Sequence, residues 1–221
     1  PSGCGKSTLL KMIAGLLAPS DGRLLLWRKP VAEQAASSNR LAFVFQSPTL
    51  MPWASVRTNV RLPLDLAGMP RAEADDRVSD ALRLVGLHKF SNALPRALSG
   101  GMQMRVSIAR GLVTQPDLLL MDEPFGALDE ITRHKLDADL LDLWRKKLTV
   151  VFVTHSIYEA VFLSTRVVVM AARPGRVLRE VKIDEPHPRN DSFRVSQKFA
   201  AYARELQELL AEASAAGATD D

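Results

Sequence analysis

Eight consecutive residues, Pro1-Ser2-Gly3-Cys4-Gly5-Lys6-Ser7-Thr8, have the composition of a loop built to hold an oxyanion. Gly3 and Gly5 carry no Cβ, so the backbone can turn tightly there and aim successive N–H groups at a ligand. Lys6 adds a mobile cation for the outer oxygens of a polyphosphate, and Ser7 offers a hydroxyl to a Mg2+ ion. The stretch Leu9-Leu10-Lys11-Met12-Ile13-Ala14-Gly15-Leu16 has helical apolar spacing, which places the anion at a helix N-terminus. The full pattern G-x-x-x-x-G-K-[ST] calls for one more glycine immediately before Pro1. So short a match also fits a flexible glycine turn, and its meaning depends on what the rest of the chain supplies.

Three apolar runs stop at polar residues suited to phosphate chemistry. Residues 41–45 stop at Gln46, Leu118-Leu119-Leu120-Met121 at Asp122 and Glu123, and residues 149–153 at Thr154 and His155. Continuous apolar runs indicate strands buried on both faces, as in a parallel sheet. Ligands of such sheets bind outside the carboxyl ends of the strands, so these polar residues are expected on one rim with the glycine loop. Asp122 has the placement of an acid that holds Mg2+ through water, and Glu123 that of a general base polarising an attacking water. His155 fits a contact with a terminal phosphate; a histidine satisfied within the core is the plainer alternative. In Leu98-Ser99-Gly100-Gly101-Met102-Gln103, Ser99 can cap a helix whose N–H groups Gly100 and Gly101 leave accessible. That makes a second anion site, or an ordinary capped helix.

The elements that must position these residues follow from periodicity and punctuation. A turn at residues 19–22 leads to a short strand at 23–27, and 31–39 reads as a loop. Residues 47–113 contain Pro48, Pro52, Pro63, Pro70 and Pro95 and no convincing strand, with helices at 72–84 and 101–112. A long helix is expected at 131–148, with Leu136, Leu140, Leu143 and Trp144 on its apolar side. A short one follows at 158–163, then a third strand of the parallel sheet at 167–170. One polar-faced helix should cover 192–213. The reading is an α/β chain with a parallel sheet core at 1–46 and 114–175, a helical insertion at 47–113, and a C-terminal extension with a helix at 176–221.

The 221 residues are ample for such a core, and 47% hydrophobic with 24% charged is ordinary for a globular protein. No apolar run approaches the roughly 18–20 residues that span a bilayer. Cys4 is the sole cysteine, which excludes an intrachain disulfide and points to a reducing, cytoplasmic setting; it reads as a spacer between glycines. The net charge of +4, from 29 basic and 25 acidic residues, is interspersed, without the basic stripe of a nucleic-acid partner.

The glycine loop, Gln46, residues 98–103, residues 118–123, Ala127-Leu128-Asp129 and His155 occur in the order found in ATP-binding subunits of ABC transporters, and the chain resembles them over almost its whole length. That resemblance implies a P-loop NTPase (RecA-like) fold and an ATPase using ATP and Mg2+. Two copies would pair head to tail as a homodimer, with ATP between the glycine loop of one and Ser99, Gly100 and Gly101 of the other. Asp129 would communicate across the dimer, and Gln46 would join the metal site to the helical insertion. The insertion would receive an integral membrane permease, fed by a substrate-binding protein, at the cytoplasmic face of the inner membrane. Gln46-Ser47-Pro48-Thr49-Leu50-Met51-Pro52-Trp53, Met102, and Pro186-His187-Pro188-Arg189 are similar to the nitrate/sulfonate/taurine-type importers. The strand leading into the glycine loop, its first glycine and the adenine-stacking aromatic of that family are expected upstream of Pro1, so the N-terminal strands are missing from this sequence, which expressed alone should fold poorly. A soluble ABC ATPase without a permease is the alternative; tandem cassettes or a large inserted arm, usual in that class, are not seen. A GTPase or nucleotide kinase is disfavoured by the motif at Ser99 and by the lack of an Asn-Lys-x-Asp base reader.

Overall fold

The structure, a computed structural model, describes residues 3–36, 39–126, 130–143 and 148–216. Helix α1 (Lys6–Ile13) starts directly from the glycine loop and buries Leu10. The next strand is shorter than expected. Strand β1 (Leu25–Leu26) pairs with β2 (Lys29–Pro30) across a turn at Trp27 and Arg28, both at positive φ. A two-residue turn of that kind matches the twist of a hairpin. Residues 31–36, expected as loop, form a 3-10 helix (Val31–Ala36), which a stretch free of Gly and Pro permits.

Strand β3 (Leu41–Val44) then enters the main sheet. Between it and the next strand lie three α-helices, α2 (Val56–Leu66), α3 (Arg71–Leu84) and α4 (Gly100–Leu112), with two short 3-10 turns between α3 and α4. Helix α2 was not expected, because Pro63 sits inside it and proline normally interrupts a helix. The overlooked signals are Ser55, whose side chain caps the helix, and the burial of Val56, Val60 and Leu64 at spacings of four. Asn59, on the same face, is fully buried. Its amide donates to the carbonyls of Met51, Ala54 and Ser55, each at 3.1 Å, and accepts from the Met51 N–H at 2.8 Å. One side chain thus satisfies the loop that follows Gln46.

Strand β4 (Leu118–Asp122) is buried throughout. Helix α5 (Glu130–Leu143) follows within the expected 131–148; residues 144–147 of that range, Trp144 among them, lie outside the described residues. Strand β5 (Thr149–Val153) comes next, then α6 (Ile157–Leu163). The order in the sheet is β3-β4-β5, all parallel, with Val44 opposite Met121 and Asp122 opposite Val153.

The expected third parallel strand is a correction. Strand β6 (Arg166–Ala171) pairs antiparallel with β7 (Arg176–Lys182), a strand overlooked among its charges. In β7, Leu178 and Val181 are more enclosed than Arg176, Val177, Arg179, Glu180 and Lys182, so its signal was mixed. The hairpin spans the boundary drawn at 175/176. The tail helix is also two helices, α7 (Asp191–Arg194) and α8 (Gln197–Ala216). Ser196 between them accepts from the Phe199 N–H at 3.1 Å and so restarts the helix.

One buried apolar cluster joins α2, α3 and α4 to β3 and β4 and continues through α6 to α8. Beneath α6 it encloses charges. Asp137 of α5 is fully buried and Glu159 of α6 nearly so. Arg194 of α7 reaches Asp137 at 3.2 Å and Arg133 reaches Glu159 at 3.3 Å. Burial, then the Glu159 charge, pushes the Asp137 carboxyl up to about 7, against the pull of Arg194 and Arg133. Burial also raises Glu159, against its hydrogen bond from Thr154 and the charge of Arg133.

Asn59→Ala is expected to lower stability by about 2–3 kcal/mol, read from denaturant unfolding; a loss under about 0.5 kcal/mol would show that water replaces the amide. Between the ordinary value of 3.8 and about 7 the folded chain holds a proton on Asp137 that the unfolded chain gives up, and above about 7 it carries the carboxylate. This group's contribution is therefore complete below 3.8 and is lost as the pH rises through about 7. Asp137→Asn should therefore make the melting temperature less dependent on pH across that window; an unchanged dependence would place the proton elsewhere.

Candidate functional site: a phosphate-binding loop facing three strand ends

The glycine loop turns as its residue types require. Gly3 and Gly5 have φ of 76° and 89°, in the left-handed region, and Gly5 is the residue from which α1 starts. The Leu9 N–H bonds the Gly5 carbonyl at 2.8 Å. Lys6 Nζ lies 3.6 Å from Cys4 Sγ, and Cys4 is buried while Thr8 is exposed. Ser2 lies outside the described residues, as do Ala127, Leu128 and Asp129.

A side-chain bond ties the loop's end to the sheet. Ser7 Oγ donates to Asp122 Oδ1 at 2.9 Å, joining the first turn of α1 to the end of β4. A hydroxyl and a largely buried carboxylate side by side are hard oxygen donors that fit Mg2+.

Glu123 is where the three strand ends meet. It has φ of 44°, a conformation that costs a non-glycine residue on the order of 1 kcal/mol unless its surroundings hold it. They do. Its N–H bonds the Val153 carbonyl at 2.9 Å, and its own carbonyl accepts from the Gly126 N–H at 3.1 Å. Its Oε2 faces Gln46 Nε2 at 3.5 Å and His155 Nδ1 at 3.2 Å. The carboxylate is thus held from both neighbouring strands. Beside it a cavity of about 440 Å³ is lined by Cys4, Lys6, Glu123, Thr154 and His155, with apolar walls from β6 and α8. A lysine, a carboxylate and an imidazole converging on one space can bind phosphate and accept a proton.

Ser99, Gly100 and Gly101 take the expected local form but line a different part of the surface. Ser99 Oγ accepts from the Met102 N–H at 3.3 Å and caps α4. A Cβ on Gly100 would meet nothing within 4 Å, so its backbone is open to a partner. These residues are not among those lining the cavity at Lys6.

Two groups of residues escaped the sequence reading. Arg110 of α4 donates to the carbonyls of Pro48 and Thr49 and to Thr49 Oγ1, each at 2.9 Å. It grips the segment after Gln46, where Thr49 has φ of 47°. Thr154 and Glu159 flank His155: Thr154 Oγ1 donates to Glu159 Oε2 and accepts from the Ser156 N–H at 2.9 Å. Ser156 with a glutamate three residues on is a capping-box spacing and could have been read.

With the loop, the carboxylates and the second glycine turn in place, comparison with known proteins is decisive. A family model described as ABC transporter matches residues 1–126. The chain belongs to the ABC transporter family. It is an ATP-binding cassette, of a family that hydrolyses ATP, with the P-loop NTPase fold. It is 47% identical over 215 residues to the taurine import ATP-binding protein of Rhizobium johnstonii, covering 95% of this chain and 81% of that one. It is 43% identical over 216 residues to the nitrate import ATP-binding protein of Synechocystis, covering 95% and 80%. A solved dimeric ATP-binding cassette in a post-hydrolysis state, bound to ADP and Pi, superposes with a TM-score of 0.73 at 34% identity, over 84% of this cassette and 83% of that chain.

Glu123→Gln is expected to slow ATP turnover by roughly 10²–10⁴-fold, as loss of a general base does, with ATP affinity retained. Near-normal turnover in a steady-state assay would remove Glu123 from that role.

Proposed function

We propose that this cassette is the ATP-hydrolysing subunit of an ABC import system that takes up a small anion or organosulfur compound. The observation that carries the reading is Glu123, gripped by Gln46 and His155 at the rim that also bears Lys6. The import class rests on the taurine and nitrate relatives, each matched over 95% of this chain.

In this reading the loop of residues 2–8 cradles the phosphates of ATP, and Lys6 offsets the charge of the outer ones. Ser7, Asp122 and Gln46 would hold Mg2+, which when bound shields the phosphate oxygens. Glu123 takes the proton of the attacking water, and His155 orients that carboxylate and meets the terminal phosphate. Two copies close head to tail, as the dimeric form of the solved cassette suggests. Ser99, Gly100 and Gly101 of one then face the nucleotide held by the other, with Asp129 at the junction. ATP drives the cycle through its different affinity for open and closed dimers.

Residues 47–113 are the natural subdomain to receive the permease, and Trp53 on it is 78% exposed. No described helix is long and apolar enough to cross a membrane, so attachment at the cytoplasmic face would run through that permease, with a substrate-binding protein delivering the cargo. Lys6→Ala is expected to abolish measurable ATP binding in equilibrium titration. Tagged full-length protein should bring down a polytopic membrane protein; recovery of the cassette alone would favour a permease-free ABC ATPase.

A further inference from the structure

Tail helix α7 lies outside every motif discussed so far, yet its Arg194 enters the buried charge cluster under α6. We propose that Arg194 is a positioning residue for hydrolysis: by neutralising Asp137 beside Glu159, it keeps the turn that carries His155 in place. The inference rests on the reading that His155 meets the terminal phosphate.

His155 has little to fix it from the outside. Its side chain is 59% exposed, and among the described residues its hydrogen-bond partner is Glu123 at 3.2 Å. The position of the ring is therefore set by the backbone of residues 154–156. That turn is stitched to Glu159: Thr154 Oγ1 donates to Glu159 Oε2, the Ser156 N–H bonds Thr154 Oγ1, and the Glu159 N–H bonds Ser156 Oγ at 3.3 Å. The turn holds its shape while Glu159 stays an ionised acceptor, since charge-assisted bonds are the stronger ones.

Keeping Glu159 ionised is difficult where it sits. Its side chain is 5% exposed, and that of Asp137 1%. Among the described residues, the charged groups facing the pair are Arg133 from α5, Arg194 from α7, and His155 and Glu123 from the strand ends. Of these described residues, Arg194 is the cation that touches Asp137. Its guanidinium also lies 3.4 Å over the Phe162 ring of α6, so it is wedged between the helix bearing Asp137 and the helix bearing Glu159. Asp137 Oδ1 has no hydrogen-bond partner among the described residues, so the carboxylate depends on Arg194 at its other oxygen. The tail is fastened to the same helix by Arg189, which donates to the carbonyls of Val161, Phe162 and Ser164 at 2.7, 3.0 and 2.9 Å.

A buried carboxylate stripped of its cation is strongly disfavoured, whereas replacing both partners by neutral groups is tolerated. This gives the test. In the full-length protein, Arg194→Met, which retains an unbranched stem over Phe162, is expected to lower kcat about tenfold, as small misplacements of catalytic groups do. KM for ATP should stay within about twofold, because the phosphate loop is untouched. Adding Asp137→Asn to Arg194→Met should return kcat to within about threefold of wild type. Wild-type kcat in Arg194→Met overturns the proposal, as does a loss that Asp137→Asn fails to repair. Should Arg194→Met not fold, Asp137→Asn alone decides. The kcat–pH profile of the wild type should carry an inflection near neutrality that this substitution removes, and superimposable profiles overturn the proposal. His155→Ala is the control for the underlying reading: it should abolish turnover whatever the tail does, and full turnover in it would defeat that reading instead.

Discussion

All five residues of β4 are buried, and its backbone is hydrogen-bonded on both sides, to β3 and to β5. Parallel ladders force neighbouring strands to end on the same side, and the register here leaves little freedom. Met121 is level with Val44 and Asp122 with Val153. Gln46, Glu123 and His155 come from distant parts of the sequence, yet each is the first or second residue past this line. The grip on Glu123 from both flanks is a consequence of the ladder. So is the bond between Ser7 and Asp122, which fastens the glycine loop to the strand whose end carries both acids.

The segments outside the sheet are attached in two different ways. The helical insertion shares apolar surface with the sheet through α4, whose Ile108 and Met104 belong to the same buried cluster as Val44 and Leu119. Burial of this kind is non-directional and fixes where a helix lies better than how it is turned. Direction is added by arginines that donate to carbonyls: Arg110 holds Pro48 and Thr49, and Arg189 holds the end of α6. A planar guanidinium with several fixed donors sets orientation as well as distance. Both clamps sit behind a residue of the rim, one behind Gln46 and the other behind the helix that follows His155.

The cassette's chemistry was legible before its architecture was complete. Residues whose role depends on type and local spacing stood out at once: the glycine loop, the acids after an apolar run, the capped glycine turn at Ser99. Backbone conformation there is local, and the positive φ of Gly3 and Gly5 was demanded by the motif itself. Elements with mixed patterns were lost. Pro63 masked α2, and charges hid β7, whose pairing made β6 one arm of a hairpin instead of a third parallel strand.

The sequence by itself determined the α/β class, the parallel strands at residues 41–45, 118–121 and 149–153, and the identity of the polar residues at their ends. It could do so because buried parallel strands are written as uninterrupted apolar runs, and a residue past such a run is placed by the sheet. Only the tertiary structure decided which of these polar groups touch. It joined Ser7 to Asp122 across 115 positions and His155 to Glu123 across 32. It also brought Arg194 to Asp137, 57 positions away. Side-chain contacts over such separations depend on register, helix placement and burial together, and no local pattern of residues encodes them.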